Sequence, residues 1–357
     1  MIKAVRVCLL DIPLARPYHL SFTDVVSFQS VITVIETSDG RQGLGESTAL
    51  PGYSSETAED IWGFVRENGG RLPGRTVREA VEMLNSAPGS SSFAVTPLMT
   101  ALETIEDGKE LGIGGEGFDL ELVGIVNSDD SHEAREIISD LLDKGYKTLK
   151  VKVGRDIRKD IEKTRKIQDF VGDRAKIRID ANQGFDYPDA EAFVKNIDPG
   201  NIELFEQPFG REEWDKMTAL SKISPVPLML DESIRTMKDL EKTDSLKCAR
   251  YVKFKLMKTG SFRRLLELIN WCRERGIGVV LGNGVAGEIG CYHEALLGSK
   301  VLDNAGEMNG YLKQRHFLFK HEIPVVNGRL TVGSGFVPDF DNGRLKDCLV
   351  KEYRWDS

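Results

Sequence analysis

Charged residues stand where five apolar, strand-like runs of this chain give out, in Lys150-Val-Lys152, Ile179-Asp180, Phe205-Glu206, Leu230-Asp231 and Phe254-Lys255. Asp180, Glu206 and Asp231 offer hard oxygen ligands in a number that suits Mg²⁺, with room left for water and a substrate oxygen. No His or Cys lies among them, which argues against zinc. Lys150 and Lys152 are two apart on one strand and share a face, so each ammonium disfavours the other's charge. The pKa of one of them should fall toward the range of a general base. Lys255 would stand across the same mouth. A metal flanked by two opposed bases suggests abstraction of a proton from the carbon beside a carboxylate, with the cation stabilising the enediolate as it forms. A single carboxylate at a strand end carries little weight, because acids collect at the starts of polar loops. Three in a regular series carry more. Lys147, Lys253 and Lys258 fall outside the series and read as solvated surface residues.

The elements that must position these groups follow from their spacing. From Lys152 the charges recur at intervals of 28, 26, 25 and 24 residues, the length of one strand plus one helix. Strand runs are expected at 121–126, 148–153, 176–180, 202–206, 228–231, 251–255, 278–281 and 302–307. Helical stretches lie between them at 131–144, 157–170, 187–197, 211–221, 236–243 and 261–275. Such βα units close into a parallel barrel whose strand ends open into one mouth. The first hundred residues differ in style. Strands at 5–10, 31–36 and 41–46, with a turn at Ser38-Asp-Gly40, precede helices at 57–68, 77–85 and 97–111. The fold class expected is therefore α/β, a modified TIM-like (β/α) barrel with an N-terminal α+β capping domain. Its parts would be a cap at 1–115, a barrel at 116–320, and a C-terminal segment at 321–357 that packs back on the cap through a hairpin at 326–332.

Composition excludes several classes. With 48 basic and 56 acidic residues the formal charge is −8, and no long basic run is present, so nucleic acid is not an expected partner. No apolar run is long enough to span a bilayer and no signal-peptide pattern opens the chain, so a cytoplasmic protein without membrane contact is expected. Cys8, Cys248, Cys272, Cys291 and Cys348 are scattered and read as reduced packing residues.

The motifs Lys150-Val-Lys152, Ile179-Asp-Ala-Asn-Gln183, Phe205-Glu-Gln-Pro208, Asp231-Glu-Ser233 and Lys255-Leu-Met-Lys-Thr-Gly260 together resemble the enolase superfamily, specifically its muconate-lactonizing-enzyme subgroup. Gly43-Leu-Gly-Glu46 resembles that family's cap-domain strand, so the likeness covers nearly the whole chain. The resemblance implies Mg²⁺ on Asp180, Glu206 and Asp231, and Lys152 and Lys255 as the two bases, with Lys150 tuning Lys152. It also implies a cap whose loops at 16–23 and 50–55 choose a small carboxylate substrate, making Tyr18, His19, Phe22 and Tyr53 candidate pocket residues. A homo-oligomer is what the family suggests. None of the five histidines ends a barrel strand with an aspartate partner, so the His-Asp dyad of mandelate-racemase-like members is absent.

The chain departs from its relatives at two strand ends. Where dipeptide epimerases carry Asp-x-Asp to grip a substrate ammonium, this chain has Glu307-Met-Asn309, which leaves less countercharge. At the seventh strand, Gly282 or Asn283 replaces a common glutamate. Glu307, Asn309 and Asn283 are therefore candidate substrate contacts. The expected activity is a racemase or epimerase of an amino-acid derivative or dipeptide. A lyase or cycloisomerase using the same enolate, and a binding protein with a vestigial site, are the alternatives.

Overall fold

The computed structural model describes residues 1–19, 24–50, 53–54, 56–88, 91–128 and 130–357. The chain opens with three antiparallel strands, β1 (Ile2–His19), β2 (Asp24–Thr37) and β3 (Gln42–Thr48). The Ser38-Asp-Gly40 turn joins the last two, with Gly40 at φ 84° as a tight turn requires. Helices α1 (Ala58–Gly69), α2 (Val77–Asn85), α3 (Ser92–Glu106) and the short α4 (Gly108–Leu111) follow. Thr57 and Thr76 start the first two with reciprocal capping boxes to Asp60 and Glu79. Helix α3 begins five residues before its expected start, capped by Ser91, and carries Pro97 inside it. It packs against β3, where Gly43 and Gly45 allow the approach. A Cβ on Gly45 would lie 1.9 Å from the Pro97 carbonyl oxygen.

The second part alternates strand and helix: β4 (Phe118–Glu121), β5 (Val123–Val126), α5 (Ser131–Asp143), β6 (Thr148–Lys152), α6 (Ile157–Val171), β7 (Lys176–Asp180), α7 (Tyr187–Asn196), β8 (Ile202–Glu206), α8 (Trp214–Ser221), β9 (Leu228–Leu230), α9 (Met237–Leu246), β10 (Tyr251–Phe254), α10 (Leu256–Thr259), α11 (Phe262–Glu274), β11 (Gly278–Leu281) and α12 (Glu288–Val301). Strands β5 to β11 form one parallel sheet in chain order, the modified (β/α) barrel expected. The expected eighth strand at 302–307 is not one. Helix α12 runs on to Val301, and only Gly306 makes a bridge, to Leu122. That short segment still closes the sheet, because Gly306 donates to Glu121 O at 2.8 Å and Glu307 donates to Leu281 O at 3.0 Å.

The C-terminal segment does two things. Strands β12 (Val325–Val326) and β13 (Arg329–Val332) pair with β4, at the end of the barrel where its strands begin, so the 326–332 hairpin does not return to the cap as expected. After α13 (Asn342–Asp347), strand β14 (Leu349–Asp356) does return and pairs antiparallel with β1. The cap sheet thus has the order β14-β1-β2-β3. Among the described residues no helix is long and apolar enough to cross a membrane. All five cysteines are free, and all but Cys348 are buried. Since β3 carries cap residues toward the barrel, Gly45→Val should lower stability by about 1–3 kcal/mol through overpacking against α3. A shift of the urea midpoint to lower concentration, with unchanged slope, would verify this.

Candidate active site

Side-chain alternation sets the interior of the barrel. Leu204, Met229 and Val280 form a small apolar cluster, separate from the main core, with Tyr251 against it. Two residues on from Leu204, Met229 and Tyr251 stand the charges Glu206, Asp231 and Lys253. Pairing sets Lys152 beside Asp180 and Asp180 beside Glu206, so three of the expected residues are neighbours across β6, β7 and β8. Asp231 and Lys255 directly follow β9 and β10. The backbone after two of the acids is unusual: Asn182, Gln183 and Gln207 hold φ of 42°, 68° and 38°. Strain of this kind gathers at functional sites.

The buried charges balance one another. Lys150 Nζ lies 2.9 Å from Asp180, 2.6 Å from Glu206 and 3.1 Å from Glu307. Burial alone would lower its pKa, but these three carboxylates outweigh it and hold the ammonium well above its ordinary range. The repulsion expected between Lys150 and Lys152 therefore does not lower Lys150. Lys253 is also not the surface residue expected. It is buried and bridges Glu206 at 3.1 Å and Glu307 at 2.5 Å. Lys258 is likewise drawn in, donating to the Asp231 carbonyl at 2.8 Å and its carboxylate at 3.2 Å. Burial pushes it down to about 8. Lys147 is exposed, as read.

Lys255 Nζ donates to Asp231 at 2.8 Å and to the Tyr53 hydroxyl at 2.5 Å, and Tyr53 in turn donates to Asp231 at 3.0 Å. On the other side, Lys152 Nζ donates to Asn182 Oδ1 at 2.9 Å and lies 5.4 Å from the centre of the Tyr18 ring. Lys152 and Lys255 line one cavity of about 70 Å³ together with Asp180, Glu206, Asp231, Tyr18 and Tyr53. A cleft of about 560 Å³ adjoins it, sharing Lys152 and Asn182. Asn283, Glu307 and Asn309 also line the cavity. Asn283 Nδ2 has no partner among the described residues. Glu307 is held by Lys150, Lys253 and Arg178, and Asn309 Oδ1 accepts from Lys313 at 3.0 Å. Phe22 and the His19 side chain lie outside the described residues.

Several contributors were not legible as such. Gln207 Oε1 accepts from the amides of Asp231 at 3.0 Å and Ser233 at 3.2 Å, fixing the third acid. Lys253 stands two before Lys255 as Lys150 stands two before Lys152, and that repeated Lys-x-Lys was the available signal. Lys313, whose Nζ sits 4.6 Å from the Tyr18 ring, belongs to no periodic pattern. Of the histidines, His293 is buried against Phe262 and Tyr292, and burial lowers it to about 3. His132, His316 and His321 are exposed.

As they stand, no three His, Cys, Asp or Glu side chains among the described residues converge as a metal site. The donor chemistry nevertheless fits a hard divalent cation. Asp180 and Glu206 already direct oxygens at one positive point, the Lys150 ammonium, so a cation can take that place. Burial and the charge of Asp180 push Glu206 up to about 7, and burial, Asp231 and Asp180 push Glu232 up to about 7.

The model of the enolase C-terminal domain-like family matches residues 133–341. The N-succinyl-L-Arg/Lys racemase of Bacillus cereus is 25% identical, over 98% of this chain and 98% of its own. The structure of muconate lactonizing enzyme from Pseudomonas fluorescens, complexed with muconolactone, superimposes with a TM-score of 0.87 at 25% identity, covering 98% of this chain and 99% of that one. A dipeptide epimerase from Cytophaga hutchinsonii, complexed with Mg and the dipeptide D-Ala-L-Val, shares the fold at a TM-score of 0.86 and 20% identity, covering 99% of each.

The charge pattern sets a pH window. Glu206 and Glu232, raised from an ordinary 4.5 to about 7, contribute stability that is complete below 4.5 and lost as pH rises through about 7. For Asp231, burial opposes ionisation, but Lys255 and Lys258 prevail and hold it well below the ordinary range. Its contribution is present above its ordinary value and lost as pH falls toward the depressed one. The urea midpoint of the metal-free protein should be lower at about pH 8 than at about pH 5.5, and should fall again in strong acid. A midpoint rising steadily to pH 8 would contradict the charge assignment.

Proposed function

This chain belongs to the enolase C-terminal domain-like family, within the enolase superfamily, and we propose that it is a racemase or epimerase acting at the carbon beside a carboxylate in an amino-acid derivative or dipeptide. The observation that carries this reading is the pair of lysines on one cavity. Lys152 on β6 and Lys255 after β10 are separated by three strands and face a common space, with Asp180, Glu206 and Asp231 between them. A substrate seated there would present opposite faces of its α-carbon to the two amines. The unprotonated lysine takes the α-proton, the other lysine's ammonium gives one to the opposite face, and the configuration inverts with one proton lost and one gained. Asp180, Glu206 and Asp231 would hold Mg²⁺, which offsets the second negative charge growing on the substrate carboxylate as the α-proton leaves.

The chain's own residues supply the rest. Asn182 aims Lys152, while Asp231 and Tyr53 aim Lys255. Tyr18 covers the Lys152 side and Tyr53 the Lys255 side, which keeps water from the reacting carbon. Lys150 and Lys253 neutralise Glu206 and Glu307 and keep the barrel interior near electrical balance.

One observation favours a second reading. The ion pair with Asp231 outweighs burial and raises the Lys255 pKa, so Lys255 is held as an ammonium. A fixed cation there suits a lyase or cycloisomerase, in which Lys152 alone moves protons. A polarimetric and mass-shift screen of N-acyl amino acids, dipeptides and muconate-like acids separates the two. On the preferred reading optical rotation decays without change of mass in water, and Lys152→Ala and Lys255→Ala each slow the decay about 10²- to 10⁴-fold. Loss of water or ring closure, with Lys152 the only lysine required for proton transfer, would establish the second.

A further inference from the structure

Helix α12 carries a buried acid that the chemistry above leaves unused. Glu294 is 1% exposed, and its Oε1 accepts from the amide of Leu256 at 2.7 Å. That amide belongs to the peptide joining Lys255 to Leu256, and Lys255 itself gives no side-chain cap to α10. The other oxygen, Oε2, has no partner among the described residues. A buried carboxylate is costly where an apolar side chain would pack more cheaply. Its one hydrogen bond in hand fixes the backbone of a proposed base.

The start of the same helix is gripped by the cap. Glu46, on β3, accepts from the amides of Gly287 and Gly290, both at 2.8 Å. The hydroxyls of Ser30 and Thr48 donate to it at 3.0 and 3.2 Å. One helix therefore joins a cap carboxylate at its beginning to the Lys255 peptide one and a half turns on. This matters because Lys255 must meet partners from both parts of the molecule, Tyr53 from the cap and Asp231 from the barrel.

We infer that Glu294 is a positioning residue for Lys255, and that α12 relays the seating of the cap, through Glu46, to that lysine. The catalytic side of this inference rests on the two-lysine reading. If it holds, the effect of Glu294 is confined to one face of the substrate, which a general packing role would not produce.

The test uses the full-length protein with Mg²⁺ in D₂O and follows α-deuterium incorporation from each enantiomer separately, the Lys255-dependent one being identified with Lys255→Ala. Glu294→Ala should slow the Lys255-dependent exchange about 10- to 100-fold and leave the Lys152-dependent exchange within about threefold. Glu294→Gln keeps an oxygen for the Leu256 amide and should stay within about threefold on both faces. Glu46→Ala should show the same one-sided loss in weaker form. Equal losses on both faces, or none, overturn the inference, and the retained Lys152-side exchange reports that the variant is folded. A second readout needs no substrate: competitive labelling with a small amine-directed reagent, comparing Lys255 with Lys152. A rise of about tenfold in that ratio in Glu294→Ala supports the positioning role, and an unchanged ratio overturns it. Should the wild type exchange no compound, the two-lysine reading fails while the labelling still decides what Glu294 does.

Discussion

The interior of the barrel depends on the pairing of acids and lysines that are buried together. Asp180, Glu206, Asp231 and Glu307 are each almost wholly buried, and each has an ammonium within about hydrogen-bond reach from Lys150, Lys253, Lys255 or Lys258. Breaking one such pair leaves an uncompensated buried charge, a cost of several kcal/mol on the order of 3–5. The balance is also poised. Lys150 serves three carboxylates at once, and Asp180 and Glu206 are the two of them that would hold a divalent cation, with Glu307 left to Lys150 and Lys253. The same network therefore holds the barrel mouth together from several strands at once.

The cap depends on this network as much as it covers it. Tyr53 reaches down to both members of the Lys255–Asp231 pair, and Tyr18 lies over Lys152. Buried acids lock the two parts in register: Glu46 holds the amides at the start of α12, and Glu103 of α3 accepts from the amides of Phe262 and Arg263 at 2.7 and 3.2 Å. Strand β14, at the far end of the chain, completes the cap sheet beside β1. Because the cap is fixed by polar contacts aimed at backbone amides, its placement is directional in a way that apolar packing alone would not enforce.

Much of this was legible in the residues. Asp180, Glu206 and Asp231 could be found because one residue ends each strand at a nearly constant interval, and the barrel repeats its unit at that interval. Strands 176–180, 202–206 and 278–281 fall where expected for the same reason. Helix α12 was not foreseen because it is buried on nearly every side, so its sequence has no polar face to create a period. The segment at 302–307 was expected as an eighth strand continuing the alternation, yet it follows directly on α12 and makes only a single bridge, from Gly306. Lys253 and Lys258 were read as surface residues because a lysine ordinarily is; their burial follows from carboxylates in other parts of the barrel, Glu206 and Glu307 for Lys253 and Asp231 for Lys258, and those pairings are long-range. The surroundings of Lys150 were not legible for the same reason, since three carboxylates distant in sequence outweigh its near neighbour, Lys152.

Proton nuclear magnetic resonance in D₂O, with Mg²⁺ or with a chelator, tests the central claim most directly by following the α-proton signals of a library of N-acyl amino acids, dipeptides and unsaturated diacids mixed with the wild-type protein. The account predicts that the α-signal of at least one amino-acid derivative fades with Mg²⁺ and persists with the chelator. If every α-signal persists under both conditions, or fades equally in both, the reading of this mouth as a cation-assisted site of α-proton abstraction is contradicted.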